Sequence, residues 1–247
     1  MDSNLIFPPI FHPFFLPSIP KHCSYDISMA LKLYGYPRSG STACVITCLL
    51  EKQVEFELIH VDLFSGQHKS PDFLAKHPFG LVPVLEDGEF TIFETRAITE
   101  YVCKKYAANG TEDLLCSDDL RRSALVRTWV EVESNYFHPA MSPIIFQSFV
   151  APLQGMSPDR KVIDESLEKL VKVLDIYEAR LQETKYLAGE SYSLADLHHL
   201  PPMFYFLRIE GMQAKIFDQR SRLKAWWEDV SSRAAFKKVV EGMKLEN

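Results

Sequence analysis

"HPFGLVPVLEDGEFTIFETRAIT", His77 to Thr99, carries three signals that together decide the fold. Asp87-Gly88 lies between two short apolar runs and predicts a β-hairpin. Pro83 stands just ahead of the first run, where its missing amide hydrogen does no harm. A cis Val82-Pro83 bond in a tight turn there would leave the Val82 amide and carbonyl free at a sheet edge. An extended peptide can pair with such an edge as an added strand. Glu94 and Thr95 then open a helix running to about Tyr106, whose first amides and dipole attract an anion. A carboxylate on Thr95 with an ammonium against Glu94 describes the α-amino-acid end of a ligand. Capping of the helix by Glu94 or Thr95 is the simpler reading.

Upstream, "ALKLYGY" reads as a short strand and Ser39 to Lys52 as a helix with Val45, Ile46, Leu49 and Leu50 apolar. "EFELIHVDL" is strand-like but apolar on both faces, and "SPDFLAKH" is a short helix. The order β-α-β-α-β-β-α over residues 29–108 fits an α/β sandwich with one mixed sheet. Between its first strand and helix lies "RSGSTAC", Arg38 to Cys44, with the hydroxyls of Ser39, Ser41 and Thr42. A hydroxyl donor at the positive end of a helix stabilises a thiolate. The structural alternative is N-capping by the first of the three. A serine nucleophile with a triad is less credible, because no Gly-x-Ser-x-Gly and no placed histidine accompany it. His68-Lys69, in the loop after the second strand, offers two adjacent cations for a second carboxylate, though surface Lys and His are usually only solvated.

"AANGTEDLLCSDD" is polar and turn-rich, which makes residues 109–119 a linker. Residues 120–247 read as helical throughout. Leu120 to Phe137 places Leu125, Trp129, Val132 and Tyr136 at helical spacing, and Asp159 to Thr184 carries a long stripe through Leu170, Leu174, Tyr177 and Leu181. "YSLADL" is a capping box, with Ser193 as N-cap and Asp196 reaching back to it. Pro201 and Pro202 are expected to kink the helix that starts there. Two short helices, "LKAWWEDV" and "AAFKKVVEGM", finish the chain. His198 and His199 point about 100° apart on a helix and make no metal pair, so packing or solvation is expected for both.

With 47% hydrophobic residues, among them 17 Phe, the 247-residue chain can build a full core. A net charge of -6 and no Lys/Arg run argue against nucleic acid as the main partner, and no apolar run reaches the length of a membrane span. Five scattered cysteines read as reduced thiols, and no set of ligands for zinc or another metal is completed by Cys44 and Cys48. Residues 1–28, broken by Pro8, Pro9, Pro13, Pro17 and Pro20, read as a disordered leader. A cytoplasmic location follows, with plastid import as the alternative if the leader is a transit peptide.

"LKLYGYPRSGST", "FELIHVDL", "HKSPDFLAKHPFGLVPVLEDG", "FETRAITEYV" and "YLAGESYSLADLHHL" together resemble the plant phi-class glutathione transferases. The resemblance runs from about Met29 to Met243. It implies a thioredoxin-like N-terminal domain followed by an all-α C-terminal domain, a homodimer, and glutathione as co-substrate without a metal. It makes Ser39 the catalytic hydroxyl, with a slip to Ser41 left open. His68 and Lys69 would take the glycine carboxylate, Val82 beside cis-Pro83 the cysteinyl backbone, and Glu94 and Thr95 the γ-glutamyl end. Leu81 and Cys44 depart from the family's Gln and Arg, which removes one neutral hydrogen bond of about 0.5 to 1.5 kcal/mol and one cation. Cys44 is also a free thiol open to glutathionylation.

The implied activity is conjugation of the glutathione thiolate to apolar electrophiles, with reduction of organic hydroperoxides by the same thiolate as a companion. The competing class is a carrier that binds flavonoids or other apolar aromatic ligands without turnover. The apolar substrate would lie in a cleft between the domains, for which Tyr36, Leu63, Phe64, Phe137, Met141 and Ile145 are the candidates; each is equally readable as core.

Overall fold

A computed structural model describes residues 31–110 and 112–243. The expected leader, residues 1–28, lies outside the described residues, as does Cys23. Strand β1 (Leu31–Gly35) buries Leu31, Leu33 and Gly35 in period-two alternation. Helix α1 (Gly40–Glu51) leads to β2 (Phe56–His60), which pairs parallel to β1. After α2 (Pro71–Leu74), β3 (Val84–Asp87) and β4 (Phe90–Phe93) form the hairpin, and α3 (Thr95–Lys105) follows. The sheet order is β2-β1-β3-β4, with β3 antiparallel to both its neighbours. Asp87 pairs with Phe90, so the two loop residues are Gly88-Glu89 and not Asp87-Gly88. Gly88 at φ +60 fits the turn with glycine first.

The rest of the described chain is helical. Helix α4 (Leu120–Val132) continues through a π turn (Glu133–Phe137) into α5 (His138–Ile145), and through a second (Phe146–Val150) into α6 (Ala151–Leu153). Each wide turn is followed within two residues by a proline, Pro139 or Pro152, whose missing amide cannot close the α bond to the carbonyl four residues back. The buried stripe of this run is Val126, Val130, Glu133 and Phe137. The expected stripe was one position off at its ends: Leu125 is 42% exposed and Tyr136 64%.

Helix α7 (Arg160–Glu183) buries Leu170, Leu174, Tyr177 and Leu181 as its period requires. Instead of one kinked helix, α8 (Leu194–Leu197) and α9 (Leu200–Phe206) are separate. The break falls at His198-His199, and Pro201 and Pro202 occupy the first turn of α9, where no amide is needed. Helix α10 (Met212–Phe217) was not expected; α11 (Ser221–Ser231) and α12 (Ala234–Met243) close the fold.

The capping box at Ser193 forms and does more than start a helix. The fully buried Asp196 carboxylate accepts from the Ser193 amide at 3.0 Å, the Leu187 amide at 3.0 Å and Trp226 Nε1 at 2.9 Å. One acid thereby ties the turn at 187, the start of α8 and helix α11. Burial raises its pKa to about 6, and the donors around it pull the other way. Asp196→Ala leaves buried donors unpaired and is expected to lose about 3 kcal/mol or more, read from the urea midpoint. Asp196→Asn keeps an acceptor and should lose clearly less.

Candidate active site

A cleft of about 1220 Å³ opens between the α/β part and the helices. Its floor is the N-terminus of α1. Gly35 makes that placement possible: a Cβ there would stand 2.4 Å from Thr42 Cγ2, so any side chain would push α1 off β1. Thr42 then accepts from the Tyr36 amide at 3.3 Å, and Ser39 becomes the N-cap. Ser39 Oγ accepts from the Thr42 amide at 3.5 Å, a long bond that leaves the hydroxyl proton uncommitted by the cap. The capping reading and the chemical reading of "RSGSTAC" thus fall on the same side chain. Ser41 also lines the cleft.

Along the same wall lie His68, Leu81, Val82, Pro83, Glu94 and Thr95. The Val82-Pro83 bond is cis. The Val82 amide and carbonyl have no backbone partner among the described residues. His68 is held there by Gly80, at φ +58, where a Cβ would meet the His68 carbonyl at 2.6 Å. His68 Nδ1 is buried without a hydrogen-bond partner among the described residues. Burial, and then the Lys69 charge, lower its pKa, so near neutral pH it offers an N–H and not a cation. Lys69 differs from expectation. It points out of the cleft, its Nζ donating to the Phe79 carbonyl at 2.9 Å, because Gly80 turns the chain back across it.

Glu94 makes no side-chain capping bond, which removes the simpler reading for that residue. Its backbone sits at φ 73, ψ 117, a region that costs a non-glycine residue about 1 to 3 kcal/mol. Glu94 and Thr95, at the start of α3, both line the cleft.

Tyr36, Leu63, Phe64 and Ile145 line the cleft as expected of an apolar site. Phe137 and Met141 do not. Both are fully buried in the core, because the π turn at Glu133–Phe137 rotates His138 and Ser142 into the cleft in their place.

Below Ser39 the floor is polar, and sequence reasoning missed it. Arg96 Nε donates to Glu133 Oε2 at 2.8 Å, joining α3 to the π turn. Burial pushes Glu133 up to about 7, with Arg96 opposing. Thr99 donates its single hydroxyl proton to the Arg96 carbonyl at 3.1 Å. Its oxygen therefore accepts from His198 Nε2 at 3.1 Å, and His198 Nδ1 accepts the Cys44 thiol proton at 3.4 Å. His199 is packed too, between the Tyr177 hydroxyl at 2.9 Å and the Ala195 carbonyl at 2.8 Å. Burial raises the Cys44 thiol far above its ordinary value, so the expected glutathionylation at Cys44 does not fit its surroundings. A lone Glu133 inside the apolar stripe that runs from α4 into the π turn was the available signal for this floor. Among the described residues no cluster of His, Cys, Asp and Glu is placed to hold a metal, and no helix is long and apolar enough to cross a membrane.

Residues 29–104 match the family model for the glutathione S-transferase N-terminal domain, and residues 136–234 that for the C-terminal domain. The chain is 50% identical to glutathione S-transferase F13 of Arabidopsis thaliana, over 87% of this chain and 97% of that one. This chain belongs to the glutathione S-transferase family. The crystal structure of glutathione transferase F7 from Populus trichocarpa superposes on this transferase with a TM-score of 0.84 at 55% identity, covering 87% of this chain and all (100%) of that one. Maize glutathione S-transferase I, solved in complex with an atrazine glutathione conjugate, superposes with a TM-score of 0.80 at 40% identity, over 88% and 100% of the two chains. The fold is accordingly a thioredoxin-like domain followed by an all-α domain, and glutathione is the family's co-substrate.

Two outcomes follow for this transferase. Iodoacetamide at pH near 7.5 should leave Cys44 unlabelled in the native chain and label it after urea unfolding, as read by mass spectrometry. Burial lifts Glu133 to about 7 in the folded chain, above the ordinary carboxylate value of about 4.5, so the folded state binds that proton more tightly. The associated stability is complete below about pH 4.5 and is lost as pH rises through about 7. The thermal midpoint of the wild type should therefore fall between about pH 5 and 8 relative to Glu133→Gln. Parallel curves would contradict the assignment.

Proposed function

We propose that this glutathione S-transferase is a phi-class enzyme that holds glutathione along the first wall of the cleft and transfers its sulfur to an apolar electrophile. The F-numbered relatives and the bound conjugate of the maize protein support the class and the reaction. The observation that carries the reading is the orphaned His68 Nδ1 facing the same cleft as the strained Glu94. A buried ring nitrogen without a partner and an uncapped acid at a positive φ on the same cleft wall fit a ligand with a carboxylate at one end and an ammonium at the other.

In this arrangement the γ-glutamyl ammonium lies against Glu94 and its carboxylate on the Thr95 amide and hydroxyl. The cysteinyl backbone pairs with Val82, beside Pro83, as an added strand. His68 donates to the glycine carboxylate, and Lys69 contributes only long-range charge. Ser39 donates its uncommitted proton to the sulfur, and the dipole of α1 acts in the same direction, so the thiol ionises near neutral pH. Tyr36, Leu63, Phe64 and Ile145 hold the second reactant over the sulfur, and the two are brought together without a further cofactor. Reduction of an organic hydroperoxide uses the same thiolate. Exposed Phe79, Phe90, Leu125 and Tyr136 supply apolar surface of the kind that a second copy covers, which supports a homodimer. A cytoplasmic place completes the proposal.

Ultraviolet difference spectra of bound glutathione provide the test. Ser39→Ala should raise the apparent thiol pKa by about one to two units and cut turnover of 1-chloro-2,4-dinitrobenzene about tenfold or more. Ser41→Ala should retain most activity; the reverse pattern would move the catalytic hydroxyl to Ser41. Binding of flavonoids with no turnover, and no response to Ser39→Ala, would establish the carrier instead.

A further inference from the structure

On the helical wall of the cleft, Glu133 and His138 are five residues apart, at the two ends of the π turn. Five steps of an α-helix would separate them by about 140° around the axis. Here the His138 amide closes on the Glu133 carbonyl, and the wider turn brings the fifth residue round over the first. His138 Nδ1 consequently lies 3.9 Å from Glu133 Oε1. Arg96 occupies the other carboxylate oxygen, Oε2. The Glu133 side chain is 2% exposed and that of His138 is 48% exposed, so a buried acid stands behind an imidazole that faces the cleft. Ser142, one turn further along α5, lines the cleft as well.

The charged and titratable groups around His138 are Glu133 from the π turn, Arg96 from α3 and His198 from the end of α8. Partial desolvation against the cleft wall, and then the Arg96 charge, hold the His138 pKa below its ordinary value. A neutral imidazole has a single N–H: with Nδ1 turned to Glu133, which burial keeps protonated up to about pH 7, the ring carries its proton on Nε2, suited to polarise a carbonyl oxygen as a hydrogen-bond donor. The apolar residues expected at this wall, Phe137 and Met141, would offer no donor, and the π turn has removed both to the core.

We propose that His138 donates a hydrogen bond to the electrophile at an oxygen on which negative charge develops, so that the cleft favours conjugated enals and enones over alkyl halides. This rests on the thiolate chemistry proposed above. In the step, the glutathione sulfur bonds to the β-carbon of the enal and the displaced π pair moves onto oxygen as an enolate. The His138 N–H holds that oxygen while water delivers a proton to the α-carbon. The thiol proton released to solvent earlier balances it, and nothing leaves. With an alkyl halide the carbon–halogen pair departs with the halide, no oxygen gains charge, and His138 has no such role.

The test compares trans-2-hexenal with benzyl chloride in the wild type, His138→Phe and His138→Gln, with His138→Leu as a second apolar variant should Phe not fold. Loss of the donor should lower kcat for hexenal about ten- to hundredfold more than for benzyl chloride. Gln keeps an N–H and should recover most of the difference. Equal losses on both substrates, no loss on either, or Gln performing as badly as Phe would overturn the proposal and leave His138 a packing residue. A wild type that turns over neither substrate would overturn the transferase reading and this inference with it. Turnover of both without discrimination by the variants overturns this inference alone.

Discussion

Helix α1 is buried on two sides, and the rest of the molecule is arranged around that constraint. One side packs on the sheet and α3, the other on α9 and α12, and Thr42 through Val45 together with Thr47 to Leu49 are all buried. A helix apolar all round needs two partners, so the α/β part and the helical part share one continuous core. Deleting either would expose the residues that α1 presents to the other. The cleft opens where the N-terminus of α1 emerges between the two halves.

Polar ties hold that seam as well as apolar ones. Arg233 of the α11–α12 turn reaches Glu51 at the far end of α1, at 2.7 Å, and Tyr205 of α9 donates to the Arg38 carbonyl at 2.7 Å beside Ser39. Arg96–Glu133 and Cys44–His198–Thr99 cross it beneath the cleft. A buried ion pair adds little net stability, since desolvation offsets most of the attraction, but breaking one partner away is costly. These contacts therefore fix the geometry of the seam more than they deepen the fold. The consequence for the site is that Ser39, the start of α3 and the π turn are held in register by side chains that cross the seam.

Cys44 shows how such a seam changes the chemistry of a residue. A cation at this position would bring charge to the floor; a thiol brings none, and the His198 imidazole accepts its proton instead. Burial keeps both neutral. Leu81, exposed at the cleft mouth, likewise offers surface where a side-chain amide would offer a hydrogen bond. Both positions place apolar or neutral groups on the cleft wall.

Local chemistry was legible without coordinates: the period-two strand β1, the hairpin near Gly88, the stripe of α7, the Ser193 capping box, and the starts of α1 and α3 at Ser39 and Glu94. Each depends on residues close in the chain, where periodicity, missing amides and turn preferences act directly. The π turns, the direction of Lys69, the withdrawal of Phe137 and Met141 into the core, and the meeting of Arg96 with Glu133 were not legible. They depend on contacts between segments far apart in sequence, where burial of one stripe against another sets the rotation of a helix, and a shift of one residue exchanges core for cleft.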